Sequence, residues 1–156
     1  MTAESVFINF LVDAKKHTYA AKDDVVSGTP LLPKSNQLEY IGDSFLYRDI
    51  YFGSRYFVGQ ETVYHIGEPY WAMVYSGGII NLEFEQKTKE IYSFLKSSLR
   101  LVSDKFPFRG PPEHVECDHK YVNFYEGKIN RFKGKEIIYL ADLPVYRCDY
   151  SGGLIV

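Results

Sequence analysis

An internal repeat narrows the fold of this chain more than any other feature. Residues 57–80 align without a gap to residues 132–155 at an offset of 75. Phe57 matches Phe132, Gly59 matches Gly134, Glu61 matches Glu136, Tyr64 matches Tyr139 and Pro69 matches Pro144. The tetrad Tyr75-Ser76-Gly77-Gly78 returns as Tyr150-Ser151-Gly152-Gly153. Upstream the offset is 74, pairing Glu39 with Glu113, Tyr47 with Tyr121, Asp49 with Asn123, Tyr51 with Tyr125 and Gly53 with Gly127. Such self-similarity marks two copies of one supersecondary unit that bury a shared apolar surface.

Each copy opens on a helical pattern. Phe7, Phe10, Leu11 and Ala14 recur at i, i+3, i+4 and i+7 behind Thr2 as a cap, and Ile91, Leu95, Ser98, Leu99 and Val102 do the same after the charged run Glu85 to Glu90. Alternating aromatic segments follow. Phe45 to Phe52 and His119 to Glu126 read as strands, as do Glu61–Ile66 with Glu136–Leu140 and Tyr70–Tyr75 with Val145–Tyr150. Tight turns are expected at Gly67-Glu68 and Asp142-Leu143, with Pro69 and Pro144 at strand starts, where a missing N–H is tolerated. Ala21–Gln37 and Ser103–Pro112 read as long loops.

The fold class expected is therefore α+β: a duplicated unit of helix plus antiparallel β-meander, related by a pseudo-twofold axis, with antiparallel sheet packed on two helices. The strands can form one continuous curved sheet or a partly closed barrel. A chain of 156 residues fits one domain, 1–156, with repeats at about 3–80 and 85–155. It can bury roughly 68–70% of its unfolded surface without disulfides or metal.

Charge and composition remove several function classes. Lys and Arg number 18 against 20 acidic residues, net −2, so no phosphate-binding surface and no direct nucleic-acid contact is expected. No apolar run reaches the roughly 18 residues that would span a membrane. Val6 to Val12 is interrupted by Asn9 and lacks a basic start, so it does not read as a secretory signal, and two cysteines make no disulfide framework; the chain reads as cytoplasmic.

Four features carry candidate chemistry. In a strand, residues i and i+2 share a face. Phe45, Tyr47, Asp49 and Tyr51 form one ladder, and His119, Tyr121, Asn123 and Tyr125 form its counterpart. Phe, Leu or Val would satisfy a plain core, so tyrosine kept twice implies that the hydroxyls have partners. Such a face makes either an aromatic-lined cleft, with Arg48, Asp49 and Asn123 orienting a ligand, or an internal interface between the repeats. The Tyr-Ser-Gly-Gly tetrads lack the Lys-Ser/Thr and following helix of a phosphate loop and read as a bulge or sharp turn, while Cys148 reads as a small buried hydrophobe. His114, Glu116, Cys117, Asp118 and His119 are metal-ligand types, but the first copy has Tyr40, Gly42, Asp43, Ser44 and Phe45 there, so no metal site is expected. Glu61 and Glu136 could act as an acid–base pair if they met at the pseudo-axis. No Ser-His-Asp or Cys-His arrangement stands out.

Taken together, Tyr47-Arg48-Asp49-Ile50-Tyr51-Phe52-Gly53, Phe57-Val58-Gly59-Gln60-Glu61, Pro69-Tyr70-Trp71, Tyr75-Ser76-Gly77-Gly78 and Phe108-Arg109-Gly110-Pro111 resemble an uncharacterised bacterial and archaeal family labelled as a domain of unknown function. The likeness extends from Phe7 to Gly153. Members of that family occur alone or behind a helix-turn-helix module of the phage-repressor type, which implies a sensing or oligomerising role beside transcription regulators. This chain lacks such a module, and the resemblance supplies no catalytic residue and no cofactor. The leading expectation is a small-molecule or peptide-binding domain lined by Tyr47, Arg48, Asp49, Tyr51, Tyr121, Asn123 and Tyr125. The alternatives are a protein-interaction or dimerisation module and an enzyme using Glu61 and Glu136.

Overall fold

The computed structural model describes residues 2–20, 29–42 and 44–156. Helix α1 (Ala3–His17) precedes strands β1 (Asn36–Ile41), β2 (Phe45–Gly53), β3 (Tyr56–His65) and β4 (Glu68–Ile79). A 3-10 segment, Leu82–Lys87, leads into α2 (Thr88–Leu99), followed by β5 (Glu113–Glu116), β6 (His119–Lys128), β7 (Arg131–Leu140) and β8 (Leu143–Leu154). The strands form one antiparallel sheet in the order β1-β2-β3-β4-β8-β7-β6-β5. Of the two arrangements left open by the sequence, the chain takes the continuous sheet, with β1 and β5 as its edges.

Local chemistry explains the elements. Thr2 accepts the Ser5 N–H at 3.1 Å, and Glu4 in the first turn with Lys15, Lys16 and His17 in the last complement the helix dipole. Phe7, Leu11 and Ala14 bury completely on the stripe that the periodicity marks, each large apolar side chain contributing roughly 1.5–3 kcal/mol. The Phe7 ring packs on Phe45, Tyr70 and Trp71 at 5.7, 5.0 and 6.0 Å between centroids. On α2, Ile91, Phe94, Leu95, Ser98 and Leu99 are buried, and the helix stops at Leu99, short of Val102. Among the described residues no helix is long and apolar enough to cross a membrane.

Pairing at the sheet centre places Tyr75 opposite Tyr150, with Trp71 opposite Leu154 and Ile79 opposite Tyr146. Register shifts fall at Val63/Tyr64 in one half and Ile138/Tyr139 in the other, just before the hairpins that carry Pro69 and Pro144. The hairpin turns lie one residue earlier than expected, at Ile66-Gly67 and Ala141-Asp142, where all four residues have positive φ, as in two-residue type I′ turns.

The Gly pairs correct the sequence reading. They make no sharp turn: β4 and β8 run straight through Gly77-Gly78 and Gly152-Gly153 and pair there with Cys148, Arg147, Met73 and Ala72. A Cβ on Gly77 would lie 2.4 Å from the Arg147 carbonyl oxygen, and one on Gly152 2.2 Å from that of Ala72. Glycine is required here because two backbones approach closely, not because the chain reverses. The edge strands were also unexpected, since β1 and β5 are short, β1 is only half apolar and β5 is mostly polar. β1 takes Asn36 and Gln37 out of the first expected loop, whose residues 21–28 lie outside the described residues.

Candidate functional site

Alternation in the strands turns Tyr47, Asp49, Glu61 and Tyr75 towards the helix-covered face, and Tyr121, Asn123, Glu136 and Tyr150 occupy the matching places. All are buried. The two halves share one motif. Tyr75 donates its hydroxyl to Asp49 Oδ1 at 2.6 Å, and Tyr150 donates to Asn123 Oδ1 at 2.7 Å. Each of these rings lies on a glycine: a Cβ built at Gly59 would be 2.3 Å from the Tyr75 hydroxyl oxygen, and one at Gly134 2.3 Å from Tyr150 Cζ.

The halves differ around the matched glutamates. Glu136 is saturated. Arg109 donates through Nε at 3.1 Å and a terminal nitrogen at 2.5 Å, while Tyr121 and Tyr146 donate their hydroxyls at 2.6 and 2.8 Å. Glu61 has Lys15 Nζ on Oε2, and its Oε1 has no partner among the described residues. Among the described residues the Tyr47 hydroxyl, unlike that of Tyr121, is also without a partner, and so is that of Tyr19. Sequence explains part of this. The position of Tyr146 is Trp71 in the first half, which has no hydroxyl to offer and instead donates its indole N–H to the Ile129 carbonyl at 3.2 Å.

Two cations and three carboxyl groups thus share one buried centre. Burial pushes the Asp49 carboxyl up, reinforced by the Glu61 carboxylate, to about 7, against the opposing bond from Tyr75. Burial pulls the Lys15 ammonium down, with Glu61 opposing it. Burial disfavours the Arg109 charge most of all, but Glu136 together with Tyr19, Cys148 and Tyr146 outweighs it and holds that pKa above its ordinary value. Tyr47 is pushed well up by burial and then by Glu61 and Asp49.

Above Asp49 lies a cavity of about 400 Å³. Tyr51, Phe57 and Tyr75 line it from the sheet, Tyr92, Leu95, Lys96 and Leu99 from α2, and Tyr19, Asn36, Ser54 and Arg109 complete it. The Arg109 guanidinium stands over the rings of Tyr19 and Tyr75, 5.4 and 5.7 Å from their centroids. Tyr92 anchors the α2 wall by donating to the carbonyls of Ser54 and Arg55 at 2.8 and 2.9 Å. The volume and the mixture of aromatic wall with a few polar groups are those of small-molecule pockets, which run from roughly 300 to 1,000 Å³.

The structure redistributes the expected site residues. Asp49 and Tyr51 line the cavity, and Tyr47 lies buried beside them. Tyr121, Asn123 and Tyr125 do not, because the chain itself covers them. Gly110 donates its N–H to the Tyr121 hydroxyl at 3.0 Å and accepts from Asn123 Nδ2 at 2.8 Å, while Tyr125 donates to the Lys105 carbonyl at 3.0 Å. Arg48 is carried to the opposite face by alternation, where it donates to Glu39 at 2.7 Å and lies over Tyr64. It does not orient anything in the cavity.

Glu61 and Glu136 are both fully buried, each on its own cation. The His114–His119 segment is a hairpin rather than one strand. The His114 imidazole stacks on Phe94 at 5.3 Å and that of His119 meets the same ring tilted at 5.0 Å, with His114 3.0 Å from Ser98 Oγ and 3.2 Å from Glu116. Cys148 is fully buried, as its strand position predicted, and burial pushes its thiol up to about 12. Sequence reasoning missed Lys15, Arg109 and Tyr19. Lys15 had a signal, a cation at i+4 from Leu11 within an apolar stripe, and Arg109 lay in the Phe108-Arg109-Gly110-Pro111 motif of the family resemblance; Tyr19 had none.

These features define an α+β protein whose eight-stranded antiparallel sheet carries a buried, tyrosine-rich ionic centre beneath two helices. The chain belongs to the family described as Domain of unknown function (DUF5680), whose sequence profile matches residues 49–155. Neither a curated protein nor a solved structure matches it.

Proposed function

We propose that this chain is a ligand-binding domain whose cavity, floored by Asp49 and walled by Tyr51, Phe57 and α2, takes a small molecule. The observation that carries the reading is the unequal satisfaction of two matched centres. Glu136 receives four donated hydrogen bonds, whereas Glu61 Oε1 and the hydroxyls of Tyr47 and Tyr19 have no partner among the described residues. Unpaired buried polar atoms each cost roughly 1–3 kcal/mol, and of these three groups Tyr19 lines the cavity, where a bound molecule can supply a partner and recover that energy. We infer that the halves are copies of one ancestral unit about an axis through the Tyr75–Tyr150 pair; the reciprocal register, Trp71 with Leu154 and Ile79 with Tyr146, supports this. Duplication leaves one copy free to diverge into a site while the other stays structural. A domain stabilised by its ligand is also suited to the sensing role that the family resemblance implies.

The test is a thermal-shift screen of a metabolite library against the wild type and Ser54→Trp, a substitution of an exposed residue at the cavity wall. Compounds that stabilise the wild type by about 5–10 °C at saturating concentration and lose most of that effect in Ser54→Trp support the reading. Hits that stabilise both proteins equally, or no hits at all, overturn it.

A second reading has its own observation. On the other face of the sheet Phe52, Val58 and Val74 are 42%, 51% and 50% exposed, with Phe52 directly opposite Val58. Such a row suits a protein-interaction surface. Light scattering over a range of concentrations separates the readings: a strict monomer removes self-association through this face, and a dimer broken by Val58→Lys establishes it.

A further inference from the structure

The charges of the two matched centres do not balance alike. In the second half one carboxylate, Glu136, meets one cation, Arg109. The place beside them belongs to Asn123, a neutral side chain that accepts from Tyr150 and donates to the Gly110 carbonyl. In the first half one cation, Lys15, serves two carboxyl groups, Glu61 and Asp49, and it is bound to Glu61. Asp49 is the carboxyl group left over. It is buried, it floors the cavity, and it accepts one hydrogen bond, on Oδ1 from Tyr75. Among the described residues no cation is paired with it.

A buried carboxylate without a cation is costly, and a proton meets that cost in the absence of one. Burial and the Glu61 carboxylate on β3 raise the Asp49 carboxyl to about 7, against Tyr75 on β4, Lys15 on α1 and Arg109, while Lys96 on α2 lines the same cavity. Tyr19 and Tyr47 stay neutral, since burial holds their hydroxyls well above the ordinary range. A cation entering the cavity balances Asp49 in the proton's place. Where Asn123 presents an N–H to its neighbour, Asp49 presents oxygen, so the group it matches is a donor. The wall sets the rest of the molecule: Phe57 and Tyr92 supply aromatic surface that attracts a cation, and Leu95 and Leu99 of α2 supply apolar surface that buries its body. An anion suits the cavity poorly, because Arg109 already gives Nε and a terminal nitrogen to Glu136.

We propose, resting on the ligand-binding reading above, that the cavity takes a protonated amine with a compact apolar body, its ammonium group donating to the Asp49 carboxylate and its body lying against Phe57, Tyr92 and the leucines of α2. On binding, the proton of Asp49 passes to solvent and the ammonium takes over its charge-balancing role. Affinity therefore rises with pH up to about 7 and levels off above it.

Calorimetric titration with three probes of one shape tests this: 3-phenylpropylamine, 3-phenylpropan-1-ol and 3-phenylpropanoate. At pH 8 the amine is expected to bind at least tenfold more tightly than either of the others. Its affinity is expected to be about tenfold higher at pH 8 than at pH 6, with nearly one proton released per amine bound at pH 6. Asp49→Asn, which reproduces the Asn123–Tyr150 bond of the other half, is expected to bind the amine at least tenfold more weakly and without the pH dependence. Equal or tighter binding of the alcohol or the carboxylate overturns the proposal. So does an amine affinity that is unchanged between pH 6 and pH 8, or an Asp49→Asn variant that binds the amine as the wild type does. If no probe binds while other compounds show the Ser54→Trp-sensitive stabilisation described above, the amine class is wrong and the ligand-binding reading stands. If neither experiment yields a binder, both are wrong.

Discussion

Glu61 and Glu136 stand at matching positions 75 residues apart, both fully buried, yet Lys15 holds one through a single oxygen and Arg109 holds the other through both. The cation comes from helix α1 in the first case and from the segment between α2 and β5 in the second. Matched strands thus present the same carboxylate to two different pieces of chain, and the two glutamates differ in how fully they are hydrogen-bonded.

Removing the hydroxyl from each matched tyrosine measures the mismatch directly. Tyr121→Phe loses bonds to Gly110 and Glu136 and is expected to cost about 1–3 kcal/mol. Tyr47→Phe removes a hydroxyl with no partner among the described residues and is expected to be neutral or slightly stabilising in the ligand-free protein. Urea unfolding of both variants checks the contrast; equal losses would show that the Tyr47 hydroxyl has a partner of comparable strength.

Breaking the Lys15–Glu61 pair from one side leaves a buried charge alone. Lys15→Met is expected to destabilise the protein by on the order of 3–5 kcal/mol, whereas Lys15→Met combined with Glu61→Met recovers most of that loss. A double-mutant cycle by chemical denaturation checks it. Additive losses would mean that the two charges do not depend on each other.

Asp49→Asn should show a pH-dependent gain. A carboxyl raised to about 7 in the folded chain, against about 3.9 unfolded, keeps its proton on folding, so its contribution is full below about pH 4 and is lost as pH rises towards and through 7. Asparagine has no proton to lose and reproduces the Asn123–Tyr150 bond of the other half. The variant is therefore expected to exceed the wild type by about 2–4 kcal/mol at pH 8, the difference shrinking steadily towards pH 4. Denaturation midpoints measured across that range decide it; a constant difference would place the Asp49 pKa near its ordinary value.

The glycines under Tyr75 and Tyr150 admit no side chain. Gly59→Ala and Gly134→Ala each place a methyl group inside the ring of the covering tyrosine and are expected to cost about 1–3 kcal/mol or more. Near-ultraviolet circular dichroism should report the displaced rings alongside the stability loss. A variant with wild-type stability would show that the rings move aside freely.

Much of the scaffold was legible because it depends on short-range periodicity. The helices at Phe7–Ala14 and Ile91–Leu99, the long strands and the alternation that buries Tyr47 and Tyr121 all follow from spacing within a few residues. Edge strands β1 and β5 were not legible, since their short sequences gain their place from a neighbouring ladder. The role of the Gly pairs was misread for a similar reason: a glycine needed for a turn and one needed for close backbone approach look alike until the opposite strand is known.

The candidate site divides along the same line. The repeat by itself specified which side chains share a face, which glutamates and tyrosines correspond, and that Asp49 differs from Asn123. Only tertiary structure decided that residues 105–112 cover one ladder while the other borders a cavity, that Lys15 and Arg109 arrive from outside the repeat pattern, and that Arg48 faces away. The physical reason is range. Strand alternation is set by bonds between adjacent residues, whereas hydrogen-bond satisfaction in a buried centre depends on segments that approach from 27 and 46 residues away, as Arg109 does to Glu136 and Lys15 to Glu61.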